Sequence, residues 1–232
     1  MRLIKEQIES NKQYPILEGI KLLQSMPPVK FDQSIEVAVK LNLDMRKSNN
    51  TIRNTLVLPH GTGRTVTVAV LAQGPQAEAA IAAGAVPEYV GMESLVSMIK
   101  EGNIGFDVLV ATPEAMSLVR QLGPILGPRN LMPNPKVGTV TSEPAAIVRD
   151  IVSGRIQYRT DKTGVVHTLI GKISFKAEEL KENLQAFLKA LLHDKPEYVS
   201  KGNAFLRTVT LSSTMGPGLL IAQNSIELST VV

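Results

Sequence analysis

Two spacings of apolar residues divide the chain. After Pro15, which suits a first helical turn, apolar residues recur every three or four positions and predict an amphipathic helix over residues 15–25. Residues 3–10 are predicted to be helical as well. From Ser34 to Leu43 the period becomes two, since apolar side chains alternate with polar ones. This alternation predicts a half-buried strand with one polar face.

The middle of the chain has a different pattern. Near-continuous apolar runs, VTVAVLA from Val66 and DVLVA from Asp107, each precede a segment with helical spacing. Such an order is typical of a parallel sheet with helices on both faces, so a small Rossmann-like α/β domain is predicted over residues 65–155. Its last helix is expected to run from Ser142, as the N-cap, to Ser153.

After Gly154 the chain returns to short alternating strands and one long leucine-faced helix over residues 177–193. This combination of alternating strands and an amphipathic helix is also the pattern of the N-terminal segment. We therefore expect residues 1–64 and 156–232 to fold together as a split α+β domain, into which the α/β domain is inserted. The two chain crossings, near Gly61–Gly63 and Gly154, would form a two-strand hinge.

Charge is distributed unevenly along the 232 residues, whose formal net charge is +4. Residues 1–64 hold 10 Lys+Arg against 6 Asp+Glu, residues 65–155 hold 6 against 8, and residues 156–232 hold 9 against 7. The two ends are thus basic and the middle is acidic, which indicates that the ends share a surface facing a polyanion. Ordinary scatter of surface charge is the alternative interpretation.

Several kinds of chemistry lack the residues they need. The chain has no cysteine, its three histidines lie in separate segments without ligand spacing, and no serine occupies a nucleophile elbow. We therefore expect no catalytic residue, metal site or cofactor. GTGRT from Gly61 resembles a phosphate loop, but Arg64 stands where lysine is needed and a strand pattern follows, which favours a structural turn. No apolar run is long enough to span a bilayer, so no membrane partner is expected.

The polar face of the predicted strand offers a candidate contact with RNA. Ser34, Glu36 and Lys40 point the same way, and Lys30 and Phe31 precede them. Such a row can meet a ribose–phosphate edge. Aromatic residues make up only 4% of the chain and tryptophan is absent. Stacking on single strands is therefore disfavoured, and recognition of a folded RNA shape is favoured.

Five blocks of sequence resemble one family, in the same order along the chain. They are KFDQSIEVAVKLNLD from Lys30, RKSNNTIRNTLVLPHGTGR from Arg46, GPRNLMPNPKVGTV from Gly127, YRTDKTGVVH from Tyr158 and STMGPG from Ser213. The family is that of the bacterial-type large-subunit ribosomal protein called L-one. The resemblance covers almost the whole chain and implies a non-enzymatic RNA-binding protein with the split-domain fold.

The resemblance implies a specific set of functions and partners. The protein would bind the mobile stalk of large-subunit rRNA, assist the release of tRNA from the exit site, and repress translation of its own operon mRNA. It would act on the ribosome, in the cytoplasm or in an organelle, and would be a monomer when free.

The resemblance also implies which residues contact RNA. Thr214, Met215 and Gly216 would form the central contact, with a hydroxyl from Thr214, although STMGPG taken alone is equally well a strand-ending turn. The other candidate RNA-binding residues match further family positions: Lys30, Phe31, Ser34, Glu36, Lys40, Arg46, Lys47, Arg159, Asp161, Lys162, His167 and Thr208.

The proline-rich segment 122–140 can be neither a long helix nor a central strand, which predicts a shaped recognition loop. With Arg129 and Lys136 it would offer a second, weaker RNA contact, or else it would only cover the sheet of its domain. Asn130 and Asn54 replace glycines of the family pattern. Because asparagine tolerates positive φ, both turns are expected to persist.

Two other functions stay open on the sequence alone. A small-molecule enzyme or sensor would use the carboxyl edge of the α/β domain as its pocket. A dedicated messenger repressor would bind RNA without being a component of the ribosome.

Overall fold

The computed structural model describes residues 12–27, 29–43, 51–196, 205–222 and 224. Nine strands run through these residues: β1 (Gln13–Tyr14), β2 (Ser34–Leu41), β3 (Arg53–Val57), β4 (Val68–Leu71), β5 (Val108–Ala111), β6 (Arg155–Arg159), β7 (Val165–Lys172), β8 (Leu206–Ser213) and β9 (Gly218–Ile221). They also contain seven α-helices: α1 (Ile16–Gln24), α2 (Pro75–Ala82), α3 (Glu93–Lys100), α4 (Met116–Gln121), α5 (Gly123–Leu126), α6 (Pro144–Val152) and α7 (Ala177–His193). The helix predicted over residues 3–10 lies outside the described residues.

The chain divides into two compact units. Unit one comprises Met1–Gly63 with Ile156–Val232, and unit two comprises Arg64–Arg155. Whether each unit folds as an independent domain stays a prediction. None of the helices in the described residues is both long enough and apolar enough to cross a bilayer.

A five-stranded sheet in the order β1-β9-β8-β2-β7 forms the centre of unit one. Neighbouring strands are antiparallel apart from the parallel pair β1 and β9. α1 and α7 pack against one face of this sheet, and Ile35, Val37 and Val39 on that face are each no more than 1% exposed. The predicted alternation is confirmed, because every second residue of β2 is buried and those between are not.

The predicted helix over residues 177–193 is confirmed as α7. Its apolar side chains are fully buried in the core of unit one: Leu180, Leu184, Phe187, Leu188 and Leu191. At its start, the Lys176 amide donates to Glu179 Oε2 at 3.1 Å, so an acid in the first turn satisfies a free amide.

GTGRT is an irregular connection with a bend at Gly63, and it does not form a phosphate loop. Gly61 and Gly63 have φ angles of 67° and 66°, a region that disfavours side chains. Asn183, buried on α7, donates from Nδ2 to Gly61 O at 3.0 Å and accepts at Oδ1 from the His60 amide at 3.0 Å. The next regular element is the strand β4, whereas a phosphate loop requires a helix N-terminus there.

Unit two contains a parallel sheet covered on both faces. β4 pairs in parallel with β5, and parallel bridges at Val90 and Val140 extend the pair on its two sides. Ala69 and Leu71 face a core that includes α3 and α4, while Val68 and Val70 face a core that includes α2 and α6. The parallel α/β pattern predicted for this part of the chain is confirmed at these strands.

The predicted start of the last helix in unit two is wrong. α6 begins at Pro144, and its N-cap is Glu143, which makes no side-chain capping bond. Proline suits the first helical position because it needs no hydrogen-bond acceptor there, and this preference outweighs the capping ability of Ser142. The C-terminal end agrees with the prediction, since Gly154 follows with φ of 106°.

The two asparagines at family glycine positions differ. Asn130 has φ of 57° and is the one non-glycine residue with positive φ among the described residues, as its turn requires. The expectation for Asn54 is wrong, because this residue lies in β3 without positive φ. Its Nδ2 donates to Asp194 Oδ1 at 2.9 Å, and the Tyr158 hydroxyl donates to Asp194 Oδ2 at 2.5 Å. Burial, and then this hydrogen bond, raise the pKa of Tyr158 above its usual range.

Candidate nucleic-acid interface

One face of the five-stranded sheet is not covered by α1 or α7, and it brings several candidate residues together. We define this open face by the outward residues of its two central strands: Ser34, Glu36, Ala38 and Lys40 of β2, and Thr208, Thr210 and Ser212 of β8. The register sets Lys40 opposite Thr208 and Glu36 opposite Ser212. Two candidate residues 168 positions apart in sequence, Lys40 and Thr208, are thus neighbours.

β7 borders the open face on the other side of β2. His167 pairs with Ala38, and its side chain is 66% exposed. Lys172 pairs with Ser34, and its Nζ donates to the Ser34 hydroxyl at 3.0 Å. The Ser34 hydroxyl, a predicted RNA contact, therefore already has a partner within the protein.

The turn after β8, which we call the Thr-Met-Gly turn, continues the open face. The Thr214 hydroxyl accepts from the Ser34 amide at 3.0 Å and donates to Ser34 O at 3.3 Å. The Met215 amide donates to Gln33 Oε1 at 3.1 Å. Met215 itself is 55% exposed, and Phe31 is 53% exposed. The turn thus presents an apolar side chain, while the hydroxyl expected to contact RNA holds the turn to the start of β2.

Gly216 is favoured by packing inside this turn. A Cβ added there would overlap the hydroxyl oxygen of Ser213 and lie 3.5 Å from the sulfur of Met26. Ser213 is only 3% exposed, and its oxygen has no hydrogen-bond partner among the described residues. A side chain at this position would therefore force the Ser213 hydroxyl to move, which favours glycine before any RNA is considered.

Asp161 organises a second turn, between β6 and β7. Its Oδ1 accepts from the amides of Thr163 and Val165, both at 2.8 Å. The Val165 hydrogen bond first, and then those from Thr163, lower the pKa of this carboxyl below its usual range. His167 Nε2 lies 4.0 Å from Asp161 Oδ2. Asp161 thus acts in the structure as the residue that shapes the loop carrying Lys162.

The remaining basic candidates have different positions. Lys30 precedes β2, Arg159 ends β6 and Lys162 lies in the Asp161 turn, and all three are exposed. Arg46 and Lys47 lie outside the described residues.

The proline-rich segment of unit two is a loop organised by its own backbone. It contains the one-turn helix α5 and a 3₁₀ turn at Pro135–Val137. The Thr139 hydroxyl accepts from the Asn134 amide at 2.7 Å, and Arg155 Nη2 donates to Val137 O at 3.0 Å. Arg129 is exposed on this loop, whereas the side chain of Lys136 lies outside the described part. The prediction of a shaped loop is confirmed, and its RNA contact stays a prediction.

Thr210, Ser212 and Gln33 belong to the same surface but were not predicted from the sequence. A signal for Thr210 and Ser212 was present, because hydroxyl residues recur at positions 208, 210, 212 and 214 with the period of a strand. Gln33 carries no such signal, since its contact is with Met215, 182 residues away.

Other chemistry has little support in the described residues. The three histidines each face one carboxylate, with His60 Nε2 2.5 Å from Glu182 Oε2 as the shortest pair. No group of three potential metal ligands occurs in the described part of the chain. At the carboxyl edge of unit two, the buried Thr112 hydroxyl donates to Leu71 O at 3.3 Å. This hydroxyl, which a small molecule at that edge could have contacted, is therefore already hydrogen-bonded within the protein.

Comparison with known protein families gives a match over most of the chain. The model of the Ribosomal protein L1p/L10e family matches residues 22–217. This range includes all of unit two, most of unit one and every candidate contact residue, from Lys30 to Gly216. The resemblance seen in the five sequence blocks is thereby confirmed.

Proposed function

Since the chain belongs to the Ribosomal protein L1p/L10e family, we propose that it binds the mobile stalk of large-subunit rRNA through the open face and the Thr-Met-Gly turn. Membership identifies it as a structural ribosomal protein that binds rRNA and has no enzymatic role. The finer assignment to the stalk is supported by three of the family's sequence blocks, those from Lys30, Tyr158 and Ser213, which contribute residues to the sheet of unit one or to the turn that follows β8.

The observation that carries the proposal is the composition of this surface. Thr208, Thr210 and Ser212 offer hydroxyls, which can both donate and accept hydrogen bonds. Lys30, Lys40, Arg159 and Lys162 offer cations for phosphates, and they lie on or beside the strands and turns already described. Small hydroxyls between cations suit the shallow minor groove of folded RNA, which displays ribose hydroxyls and base edges.

Two exposed apolar side chains add a different contact. Phe31 and Met215 are each more than half exposed, and the Met215 amide is bonded to Gln33, two residues beyond Phe31. A polarisable thioether and an aromatic ring can pack on the face of a base or ribose. Phe31 and Met215 would therefore restrict binding to RNA in which an exposed base or ribose lies beside the minor groove.

We propose that residues 65–155 form a separate domain, inserted into a split domain of residues 1–64 and 156–232 and joined to it by a two-strand hinge. Gly63 and Gly154 lie where the chain passes between the two compact units, and hinges often contain small residues at such positions. The inserted domain would add a weaker RNA contact through Arg129 and Lys136. Movement of the stalk with its bound protein would assist release of tRNA from the exit site.

The proposal includes a second RNA ligand. A stalk-like fold in the protein's own operon mRNA would be bound by the same surface, so that free protein, as a monomer, represses its own translation. The ribosome concerned is cytoplasmic or organellar. Co-sedimentation with large subunits at high salt separates this proposal from a dedicated messenger repressor, which would remain in the supernatant.

The test is binding of the purified protein to a stalk RNA fragment and to an unrelated hairpin across a salt series. We expect the stalk fragment to be preferred, with affinity that persists at high salt because hydroxyl and apolar contacts do not depend on counterion release. Equal, weak binding of both RNAs that disappears with salt would contradict the proposal.

A further inference from the structure

The middle of the open face holds two hydroxyls, those of Thr210 and Ser212, and their surroundings indicate which part of an RNA strand they contact. Thr210 pairs with Ala38, and Ser212 pairs with Glu36. Both are partly exposed. Their side chains alternate with the buried Val209 and Leu211, so they point away from the core of unit one.

These two hydroxyls differ from the candidate hydroxyls at the end of the strand. Those of Ser34 and Thr214 are engaged, the first by Lys172 Nζ and the second by the Ser34 backbone. Among the described residues, neither Thr210 nor Ser212 has a side-chain hydrogen bond to another residue. A partly exposed hydroxyl without a protein partner is available to a ligand at no cost in broken protein contacts.

Thr210 and Ser212 each have one small neighbour in the sheet. On β2 the adjacent open-face residue between Glu36 and Lys40 is Ala38, and on β9 the residue paired with Ser212 is Gly218. A Cβ added at Gly218 would lie only 3.1 Å from the Thr210 methyl carbon. Thr210 thus lies between Ala38 and the partly exposed Leu220, and Ser212 lies between Glu36 and Gly218, so a polymer can approach each hydroxyl from the side of its small neighbour.

We propose that Thr210 and Ser212 recognise ribose 2′-hydroxyl groups of the bound RNA, an inference that rests on the proposed function. The 2′-hydroxyl both donates and accepts, as a serine or threonine hydroxyl does, and it distinguishes RNA from DNA. The Glu36 carboxylate lies opposite Ser212, and its negative charge disfavours a phosphate at that row. Thr210 and Ser212 would therefore contact the riboses of the RNA strand, while the cations beside them would contact its phosphates.

The spacing of the hydroxyls agrees with this assignment. Thr208, Thr210 and Ser212 are separated by two residues each, which places successive side chains about 6.8 Å apart on one face of a strand. Neighbouring hydroxyls can therefore reach different riboses rather than one. Together, Thr210 and Ser212 would distinguish ribose from deoxyribose at the centre of the interface.

The experiment combines a protein change with an RNA change. Wild-type protein and the double variant Thr210→Val with Ser212→Ala are titrated with the stalk fragment and with a set of fragments that each carry one 2′-deoxy nucleotide. We expect the double variant to bind the unmodified fragment roughly tenfold more weakly, the size expected for two neutral hydrogen bonds. We also expect that, at one or more positions, a single 2′-deoxy nucleotide weakens binding of the wild-type protein but does not change binding of the double variant.

Thr168→Val provides the matched control, because Thr168 lies in the same sheet but pairs with the buried Val37 and so points to the other face. It should leave affinity and the deoxy pattern unchanged. Wild-type affinity in the double variant, or an unchanged response to every deoxy position, would overturn this inference while leaving the proposed function intact. A wild-type chain that does not prefer the stalk fragment would overturn both.

Discussion

The two sheets of this protein use their faces differently. The mostly antiparallel sheet of unit one has helices on one face and mainly polar side chains on the other. The parallel sheet of unit two has apolar cores on both faces, and all four residues of β4 are buried. A sheet of the first kind can bind a ligand along its strands, whereas a sheet of the second kind can offer only its edges and loops. The candidate site follows this division, with its main part on strands and its secondary part on the proline-rich loop.

The largest expected loss of stability comes from a substitution in the sheet of unit two, which is covered on both faces. Leu71→Ala removes a side chain that is 0% exposed in unit two and should lower the free energy of unfolding by about 2–5 kcal/mol. Leu169→Ala, on the partly exposed β7 row beside Glu36, should cost about 1 kcal/mol or less. Urea unfolding measures both. Equal costs at the two positions would contradict the distinction between the sheets.

Gly216→Ala should have the next largest effect on stability, because the new methyl group overlaps the Ser213 hydroxyl. We expect a loss of about 1–3 kcal/mol in the free energy of unfolding. Ser213→Ala in the same chain should restore stability, since its Cβ would lie 3.4 Å from the new one. If RNA also approaches Gly216 closely, the double variant will regain stability without regaining RNA affinity. Failure of Ser213→Ala to restore stability would show that the overlap is not the cause.

Met215→Ala should weaken RNA binding by about 1–3 kcal/mol with little change in stability, because the side chain is more than half exposed. Thr214→Val should instead lower stability by about 0.5–1.5 kcal/mol, since its hydroxyl bonds to the Ser34 backbone. Paired titrations and urea melts separate the two effects. A Met215→Ala protein with wild-type affinity would remove the turn from the RNA site.

Lys162→Ala tests the rim of the open face. If Lys162 contacts one phosphate, the slope of log affinity against log salt should become shallower by about one unit. Lys100→Ala, at the end of α3 in unit two, is the control and should leave the slope unchanged. A wild-type slope for Lys162→Ala would place this cation outside the interface.

The smallest expected effect concerns acid stability of the Asp161 turn. Hydrogen bonds from the Val165 and Thr163 amides keep the pKa of Asp161 lower in the folded chain than in the unfolded chain. Its contribution to stability is therefore complete above the unfolded pKa of about 3.9 and is lost as pH falls through the folded pKa. Asp161→Asn should weaken the fall in stability below about pH 4. Urea midpoints measured over this acid range would be parallel for the two proteins if the turn did not perturb the carboxyl.

The sequence predicted elements whose cause is local and periodic. The alternation in β2 and the leucine face of α7 follow from burial on one side, which repeats with the period of the element. The start of α6 was missed because two local preferences competed, and proline at the first position prevailed over serine at the N-cap. The family pattern placed a turn at Asn54, whereas the residue lies in a strand and bonds to Asp194, 140 residues away.

The site was predictable in its location but not in the role of each atom. The family blocks located the strand and the turn, and alternation gave the outward side of β2. Which hydroxyls are free depends on partners distant in sequence: Thr214 bonds to Ser34 across 180 residues, and Lys172 bonds to Ser34 across 138. No local pattern contains these pairings. The structure therefore assigns internal roles to Ser34, Thr214 and Asp161, and leaves Thr210 and Ser212 available.

The strand order of unit one has a consequence for synthesis of the chain. β2 lies between β7 and β8, yet residues 42–164 separate the end of β2 from the start of β7. Because β2 is synthesised before β7 and β8, its apolar face stays without either neighbouring strand while all of unit two is made. Unit two, which is continuous in sequence, can complete its sheet during this interval. An unpaired β2 is then exposed to wrong pairing until β7, at residues 165–172, has been synthesised.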